Sequence, residues 1–267
     1  MINILVIGRS QVGKSTLIEA LRDSNFSATR TGVSQTREPS HKQLTMSSED
    51  GKTYTLNIID TPGLHEVRQD MSETRTNEQL LALFRSIFES GQVRALNVIC
   101  FVSVVGKTYQ NDIDTFQSLI DFFGERFKSI SALILTHCDK ISLERLQQLT
   151  EDIKTHPKCS SVVGYCRLGI YHHGTLDVDD LDTFDEEIRD RIRKATLERL
   201  EPMRGKLTKF LLAQSENYVE IQENDFERFH ELVHLKNKSN RILQSTVQEL
   251  REEALRKNSF LSCCAIL

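Results

Sequence analysis

Apolar residues along this chain fall into two alternating patterns. Asn3 to Ile7 is a short apolar run of strand type, followed by a glycine-containing loop and a helical stretch from about Lys14 to Arg22. His41 to Ser47 and Thr53 to Ile59 read as paired strands joined by the Glu49-Asp50-Gly51-Lys52 turn. Asn77 to Ser90 has helical spacing, with Leu80, Leu81, Phe84, Ile87 and Phe88 near one face. Leu96 to Val105 is a continuous apolar run, as buried parallel strands show. Asp112 to Phe123 is helical, Ala132 to Leu135 is another buried strand, and Leu143 to Lys154 is a further helix. This alternation predicts an α/β fold with a doubly wound, mostly parallel sheet.

Beyond about residue 178 the strand pattern stops. Residues 183–257 are rich in Glu, Arg, Lys, Leu and Gln, with Gly205 the only glycine. Ile188, Ile192 and Ala195 mark one helical stripe, which Pro202 and Gly205 are expected to break. A second stripe runs Phe226, Phe229, Val233, Lys236, Asn240, Leu243, Val247, Leu250 and Ala254. Its spacing of three and four is a heptad seam with two polar members. Packing on the domain's own flank is favoured over a self-association coiled coil, because the seam is short and polar at its centre. The division expected is residues 1–178 as the main domain, 179–258 as an α-helical extension and 259–267 as a tail.

Composition narrows the class. Of 267 residues, 39% are hydrophobic and 27% charged, as in ordinary soluble domains. The 34 basic and 38 acidic residues give a net charge of −4, which makes no electrostatic case for nucleic acid. The apolar runs are far shorter than the roughly 20 residues of a membrane helix. Ile4 to Ile7 is too short for a signal peptide. Cys100, Cys138, Cys159 and Cys166 have no metal-ligand spacing and read as reduced, partly buried thiols.

The chemistry begins at Gly8-Arg9-Ser10-Gln11-Val12-Gly13-Lys14-Ser15, which fits G-x-x-x-x-G-K-[ST] between a strand and a helix. Glycines let backbone N–H groups turn toward phosphate oxygens, and the helix N-terminus adds a favourable dipole. Lys14 can bridge terminal phosphates and Ser15 can ligate Mg²⁺; Thr16 continues the loop. A chance match in a chain this long is roughly a one-in-a-hundred event. Asp60-Thr61-Pro62-Gly63 ends the strand at Ile59, 45 residues beyond Ser15. Asp60 can hold Mg²⁺ through water, and the Gly63 N–H can meet a γ-phosphate. Thr36, in the intervening loop, can close over γ-phosphate and metal, with Thr31 and Ser34 competing for that role. Thr136-His137-Cys138-Asp139 ends a buried strand. Asp139 can accept from guanine N1–H and the 2-amino group, which adenine does not present, and the His137 ring can lie along the base.

This order resembles that of a translation-factor-related GTPase. Three details are similar to the immunity-associated (GIMAP, AIG-type) GTPases, relatives of septins and chloroplast-import GTPases. They are Gly8-Arg9-Ser10 through Thr16 with Asp60-Thr61-Pro62-Gly63-Leu64, then Gly106-Lys107-Thr108-Tyr109 beside the family's G-R-[YF]-T, then Phe123-Gly124-Glu125 leading to Thr136-His137-Cys138-Asp139 beside F-G-E and T-[RH]-x-x-D, here one residue shorter. The resemblance covers about residues 1–175. It implies a P-loop GTPase that binds GTP or GDP with Mg²⁺. Two departures stand out. The family's aromatic-Asn pair after the sixth strand has no counterpart in Gly164-Tyr165-Cys166-Arg167-Leu168-Gly169, and Lys107 replaces an arginine with a point charge.

Leu64 stands where Ras-like proteins place a water-orienting glutamine, so slow intrinsic hydrolysis is expected. His65, Lys107 and Arg9 are the candidates for assisting it, though for each an exposed loop role is the stronger reading. Cys264-Ala265-Ile266-Leu267 fits C-a-a-X of the geranylgeranyl type, with Cys263 as a second acylation site. The expectation is a membrane-associated switch on the cytosolic face. The alternatives are a GTP-dependent scaffold that dimerises or oligomerises, with turnover incidental, and an ATP-binding regulator, against which Asp139 argues.

Overall fold

The structure is a computed structural model that describes residues 1–23, 25–29, 39–63, 87, 93–106, 110–179, 181, 184–222, 224, 225 and 227. Met1–Gln222 form one compact unit; Glu223–Leu267, almost all of it outside the described residues, is the other.

The first unit is built on a six-stranded sheet. Its strands are β1 (Ile2–Gly8), β3 (Ser40–Ser47), β4 (Thr53–Asp60), β6 (Val98–Val104), β7 (Ser131–Thr136) and β8 (Ile170–His172). Their spatial order is β3-β4-β1-β6-β7-β8, parallel throughout except for the β3–β4 hairpin. The all-apolar runs Ile4–Ile7, Val98–Val102 and Ala132–Leu135 are buried on both faces, which is why they alternate so little. The hairpin turns where expected. Ser48 N donates to Lys52 O at 2.8 Å, and Gly51 takes a φ of 79°, which suits glycine.

Helices cover both faces, as the residue pattern predicts. On one face α1 (Lys14–Arg22) contributes Leu17 and Ile18 to a core shared with Ile2, Ile4, Leu56 and Ile134. On the other, Phe116 of α2 (Gln110–Phe123) and Tyr165 of α4 (Ser160–Tyr165) meet Phe101 edge-on, at 5.3 and 5.9 Å between ring centres. A 3₁₀ turn (Glu125–Ile130) leads into β7, and α3 (Leu143–Thr155) is capped by Ser142, whose side chain accepts from Arg145 N.

Three local expectations are corrected. The run from Leu96 is not one strand. Ala95–Leu96 (β5) pairs antiparallel with Val219–Glu220 (β10), and the chain bends at Asn97 before β6 begins. Asn97 is buried, and its amide accepts from Asn3 N at 2.8 Å and donates to Gln214 O and Asn217 O. A buried amide that satisfies three backbone groups outweighs one more residue of ladder. The strand pattern also does not stop at 178, since β10 follows.

Pro202 and Gly205 do not break the helix: α5 runs Glu186–Ala213 through both. The proline lies on an exposed face, and the turns around it are held by buried Leu200, Met203, Leu207, Phe210 and Leu211. Tertiary packing overrides the propensity penalty here. Of the Ile188, Ile192 and Ala195 stripe, Ile188 and Ala195 are exposed and Ile192 is only half-buried, so the fully buried face begins at Leu200. Leu207, Phe210, Leu211 and Leu212 join the core beside α1, and Phe210 stacks on Tyr171 at 3.9 Å. Pro202→Ala is therefore expected to raise the urea-unfolding midpoint, by at most about 3 kcal/mol of stability, the proline penalty in a helix interior. An unchanged or lower midpoint would mean that the proline, by restricting the unfolded backbone, destabilises the unfolded chain at least as much as it does the helix.

Of the remaining expectations, the helix over Asn77–Ser90 lies outside the described residues except for Ile87, which is helical and buried. The heptad seam from Phe226 lies wholly outside them. The four scattered cysteines are free and buried, and burial pushes the Cys100 and Cys138 thiols up to about 12. Among the described residues no helix is long and apolar enough to cross a membrane.

Candidate functional site

After β1 the chain passes to β3 and β4 on one side and returns to β6 on the other. The carboxyl end of β1 is thus the switch point of the sheet, the place where open α/β sheets bind ligands. The loop there spans Gly8 to Gly13. A β-carbon at Gly8 would lie 2.4 Å from Val102 O, so the loop leaves the sheet in direct backbone contact with β6. Gly13 caps α1 with φ 87°. Gln11 takes φ 62°, a left-handed value that leaves a non-glycine side chain strained.

These turns aim the loop's amides and the N-terminus of α1 into a cleft of about 740 Å³. Gln11, Gly13, Lys14, Ser15 and Thr16 line it. Lys14 is buried, and its ammonium donates to Gly8 O at 3.1 Å and Arg9 O at 2.8 Å, which lays its stem along the loop. Val12 points into the core, and its carbonyl accepts from Thr136 Oγ1 at 2.6 Å.

Asp60, at the end of β4, is buried and accepts from Ser15 Oγ at 2.8 Å. Two residues 45 positions apart thus meet at one point, with oxygen donors of the kind Mg²⁺ prefers. Thr61 Oγ1 donates to Val6 O at 2.9 Å and pins the start of the next loop to β1. Gly63 then presses on the phosphate loop, where a β-carbon would lie 2.4 Å from Ser10 Cα.

Across the cleft stand Thr136, the last residue of β7, and His137 and Asp139 just beyond it. His137 has φ 59°, and its Nδ1 lies 3.1 Å from Thr136 Oγ1. Its ring reaches the phosphate loop, with Cε1 3.6 Å from where a Gly13 β-carbon would be. The wall behind Asp139 comes from a segment the residue pattern did not assign. Gly164–Gly169 is not the loop after the sixth strand; it is the end of α4 and a turn. The sixth strand is β8, and the loop is His173-Gly174-Thr175. Cys138 N donates to His173 O at 3.1 Å, and His173 N to Leu135 O at 2.8 Å. The segment then pairs Leu176–Asp177 (β9) with Ser27–Ala28 (β2). Phe26 to Thr29, Glu19 and Lys42 complete the rim, the last two ion-paired at 2.7 Å. A two-residue bridge and a three-residue strand carry too little periodicity to be read in advance.

His173 is 2% exposed, and its Nδ1 has no hydrogen-bond partner among the described residues. Burial, with the Arg204 guanidinium and His137 nearby, pushes its pKa down to about 3. Between pH 3 and 6.5 the unfolded chain binds the proton that the folded chain refuses. The stability this neutral ring contributes is present above pH 6.5 and is lost as pH falls. From pH 7.5 to 5 the loss is on the order of 2 kcal/mol, and His173→Gln is expected to flatten that slope in urea titrations at the two pH values. An unchanged slope would assign the acid sensitivity to other groups.

Arg9 turns away from this cleft: it pairs with the buried Asp112 of α2 at 3.0 Å and is not among the cleft-lining residues. That disfavours it as the group assisting hydrolysis. Thr36, Leu64, His65, Lys107, Cys263 and Cys264 lie outside the described residues.

Comparison with known proteins bears on this geometry. A model of the AIG1 family matches residues 2–167. The chain belongs to the AIG1 family. It is thus a P-loop GTPase of the AIG type. No curated protein sequence matches this AIG1 chain. Among solved structures it is similar to Toc33 from Arabidopsis thaliana in complex with GDP and Mg²⁺, with 18% identity, a TM-score of 0.54, and coverage of 83% of this chain and 88% of that one. It is also similar to a dimerization-deficient mutant of Toc33 from the same plant, with 19% identity, a TM-score of 0.50, and coverage of 82% and 87%. At that identity the likeness concerns the fold, and its coverage is wider than the family match.

Proposed function

We propose that this AIG1 chain binds GTP with Mg²⁺ in the 740 Å³ cleft, hydrolyses it slowly to GDP, and acts as a nucleotide-dependent switch on a membrane. The carrying observation is that Lys14, Ser15, Gly63 and Asp139, brought from three distant parts of the chain, line one cavity, with the buried Asp60 hydrogen-bonded to Ser15 behind its wall. In this reading Lys14 and the loop amides neutralise the phosphates. Ser15 and Asp60 would hold Mg²⁺, which supplies charge neutralisation across the terminal phosphates when bound. Asp139 accepts from the guanine edge, with His137 beside it. Thr36 and Gly63 respond to the γ-phosphate, and Gly63 is poised to do so through its contact with Ser10. Leu64 brings no polar atom to orient water, so turnover is slow without help.

That help comes, in our reading, from a second copy. A Toc33 mutant described as dimerization deficient supports this reading. A nucleotide-dependent scaffold is the competing form of the same proposal. Sizing of the GDP- and GTP-loaded chain, with turnover measured across protein concentrations, separates the two. A switch stays monomeric at constant specific activity, a scaffold assembles with GTP and does not need turnover, and an assisted GTPase gains activity per chain as it dimerises. Attachment to the cytosolic face of a membrane through a lipid on Cys264, with Cys263 as a second site, completes the proposal. Cys264→Ser is expected to shift the protein to the soluble fraction with GTP binding unchanged; an unmodified tail on membrane-bound protein would refute the anchor.

A further inference from the structure

Helix α5 changes character at Leu200. Its first fourteen residues, 186–199, have no fully buried side chain, whereas Leu200 is 0% exposed and opens the face that packs on the domain. Leu200 packs against Gly174. A β-carbon on Gly174 would lie 2.5 Å from Leu200 Cδ2, 2.8 Å from Asp139 N and 3.1 Å from Asp139 Cα. A single hydrogen atom at Gly174 therefore separates a side chain of α5 from the backbone of Asp139. The sandwich is fixed from the side as well, because Cys138 N donates to His173 O and so ties the two loops together. One turn beyond Leu200, the buried Arg204 lies near enough to His173 of the same segment for its charge to be felt there.

We infer that Leu200 is a positioning residue for guanine recognition: pressing through Gly174, it sets how far the Asp139 backbone stands into the cleft, so that base discrimination depends on the seat of α5. The inference rests on the GTP-binding reading above. A carboxylate that reads two donors at once tolerates little displacement, and misplacement by about 1 Å from a remote change can cost 10²-fold. Truncating Leu200 leaves a void behind Gly174 into which the loop can settle. The second donor of the base, the 2-amino group, is then lost while the N1–H contact survives.

The measurement is the ratio of GDP to IDP affinity, since hypoxanthine lacks only the 2-amino group. Loss of global stability lowers both affinities together and leaves the ratio alone. In the wild-type chain the ratio is expected at about 10 to 100, the value of one hydrogen bond to a charged acceptor. Leu200→Ala is expected to lower it about tenfold, Leu200→Met to restore it, and Phe210→Ala, ten residues along the same helix against Tyr171, to leave it unchanged. If Leu200→Ala does not fold, Leu200→Val provides the milder truncation, and its ratio must fall between those of Leu200→Met and one. A wild-type ratio in a folded Leu200→Ala or Leu200→Val chain, or an equal fall in Phe210→Ala, overturns the inference alone. A wild-type chain that binds neither GDP nor IDP defeats the GTP reading with it.

Discussion

Lys14→Ala is expected to abolish nucleotide binding, by a hundredfold or more, while leaving the unfolding midpoint close to that of the wild type. The ammonium contributes its charge to the cleft and its stem to the loop. Its hydrogen bonds go to Gly8 O and Arg9 O, which water can reach once the side chain is gone. The loop's backbone is held independently by Gly8 against Val102 and by the Thr136 hydroxyl on Val12 O. The phosphates lose a charge-assisted partner, and each such bond is worth about 1.5–3 kcal/mol. Fluorescent-nucleotide titration with a parallel urea melt decides it. Wild-type affinity in a folded variant would remove the phosphate-loop assignment, and loss of folding would mean that Lys14 supports the loop as well as the ligand.

Asp139→Asn is expected to reverse base preference from guanine toward xanthine. Guanine presents donors at N1 and the 2-amino group; xanthine replaces the latter with an oxygen, which an amide N–H can meet. Leaving one buried partner mismatched costs about 1–3 kcal/mol, and more when one group is charged, so the GTP:XTP ratio should move by at least a hundredfold. The two loops that frame this residue are stitched by Cys138 and His173, and Gly174 leaves no room for Asp139 to back away. Competition between GTP and XTP for the labelled site is the readout. A variant that keeps its preference for GTP would show that another group reads the base.

Much of this site could be read from residue order alone, for a physical reason. β1, β6 and β7 are buried on both faces and so appear as apolar runs, and two of them end in the polar residues that do the chemistry: the Gly8–Ser15 loop after β1 and Thr136-His137-Cys138-Asp139 at the end of β7. β4 does the same with Asp60. What could not be read depended on contacts between segments far apart. β8 is three half-buried residues whose partner is β7, too short to show a period, so residue order alone points to Gly164–Gly169 and not to the base-side loop His173–Thr175. Asn97 looks like a passing polar residue in an apolar run until Asn3, Gln214 and Asn217 are seen to use its amide. Pro202 is a helix breaker by propensity and is tolerated inside the helix once Leu200 and Met203 are anchored on either side. Arg9 reads as a free cation at a phosphate site, and only the fold brings Asp112 to it.

One measurement tests the central claim most directly: calorimetric titration of the purified chain with GTP and with ATP, in Mg²⁺ and then in excess chelator. GTP is expected to bind at least about a hundredfold more tightly than ATP, from the two contacts that Asp139 offers guanine alone, and removal of Mg²⁺ is expected to weaken GTP binding through the Ser15–Asp60 pair. Equal affinity for the two nucleotides, or binding of neither, would contradict the account.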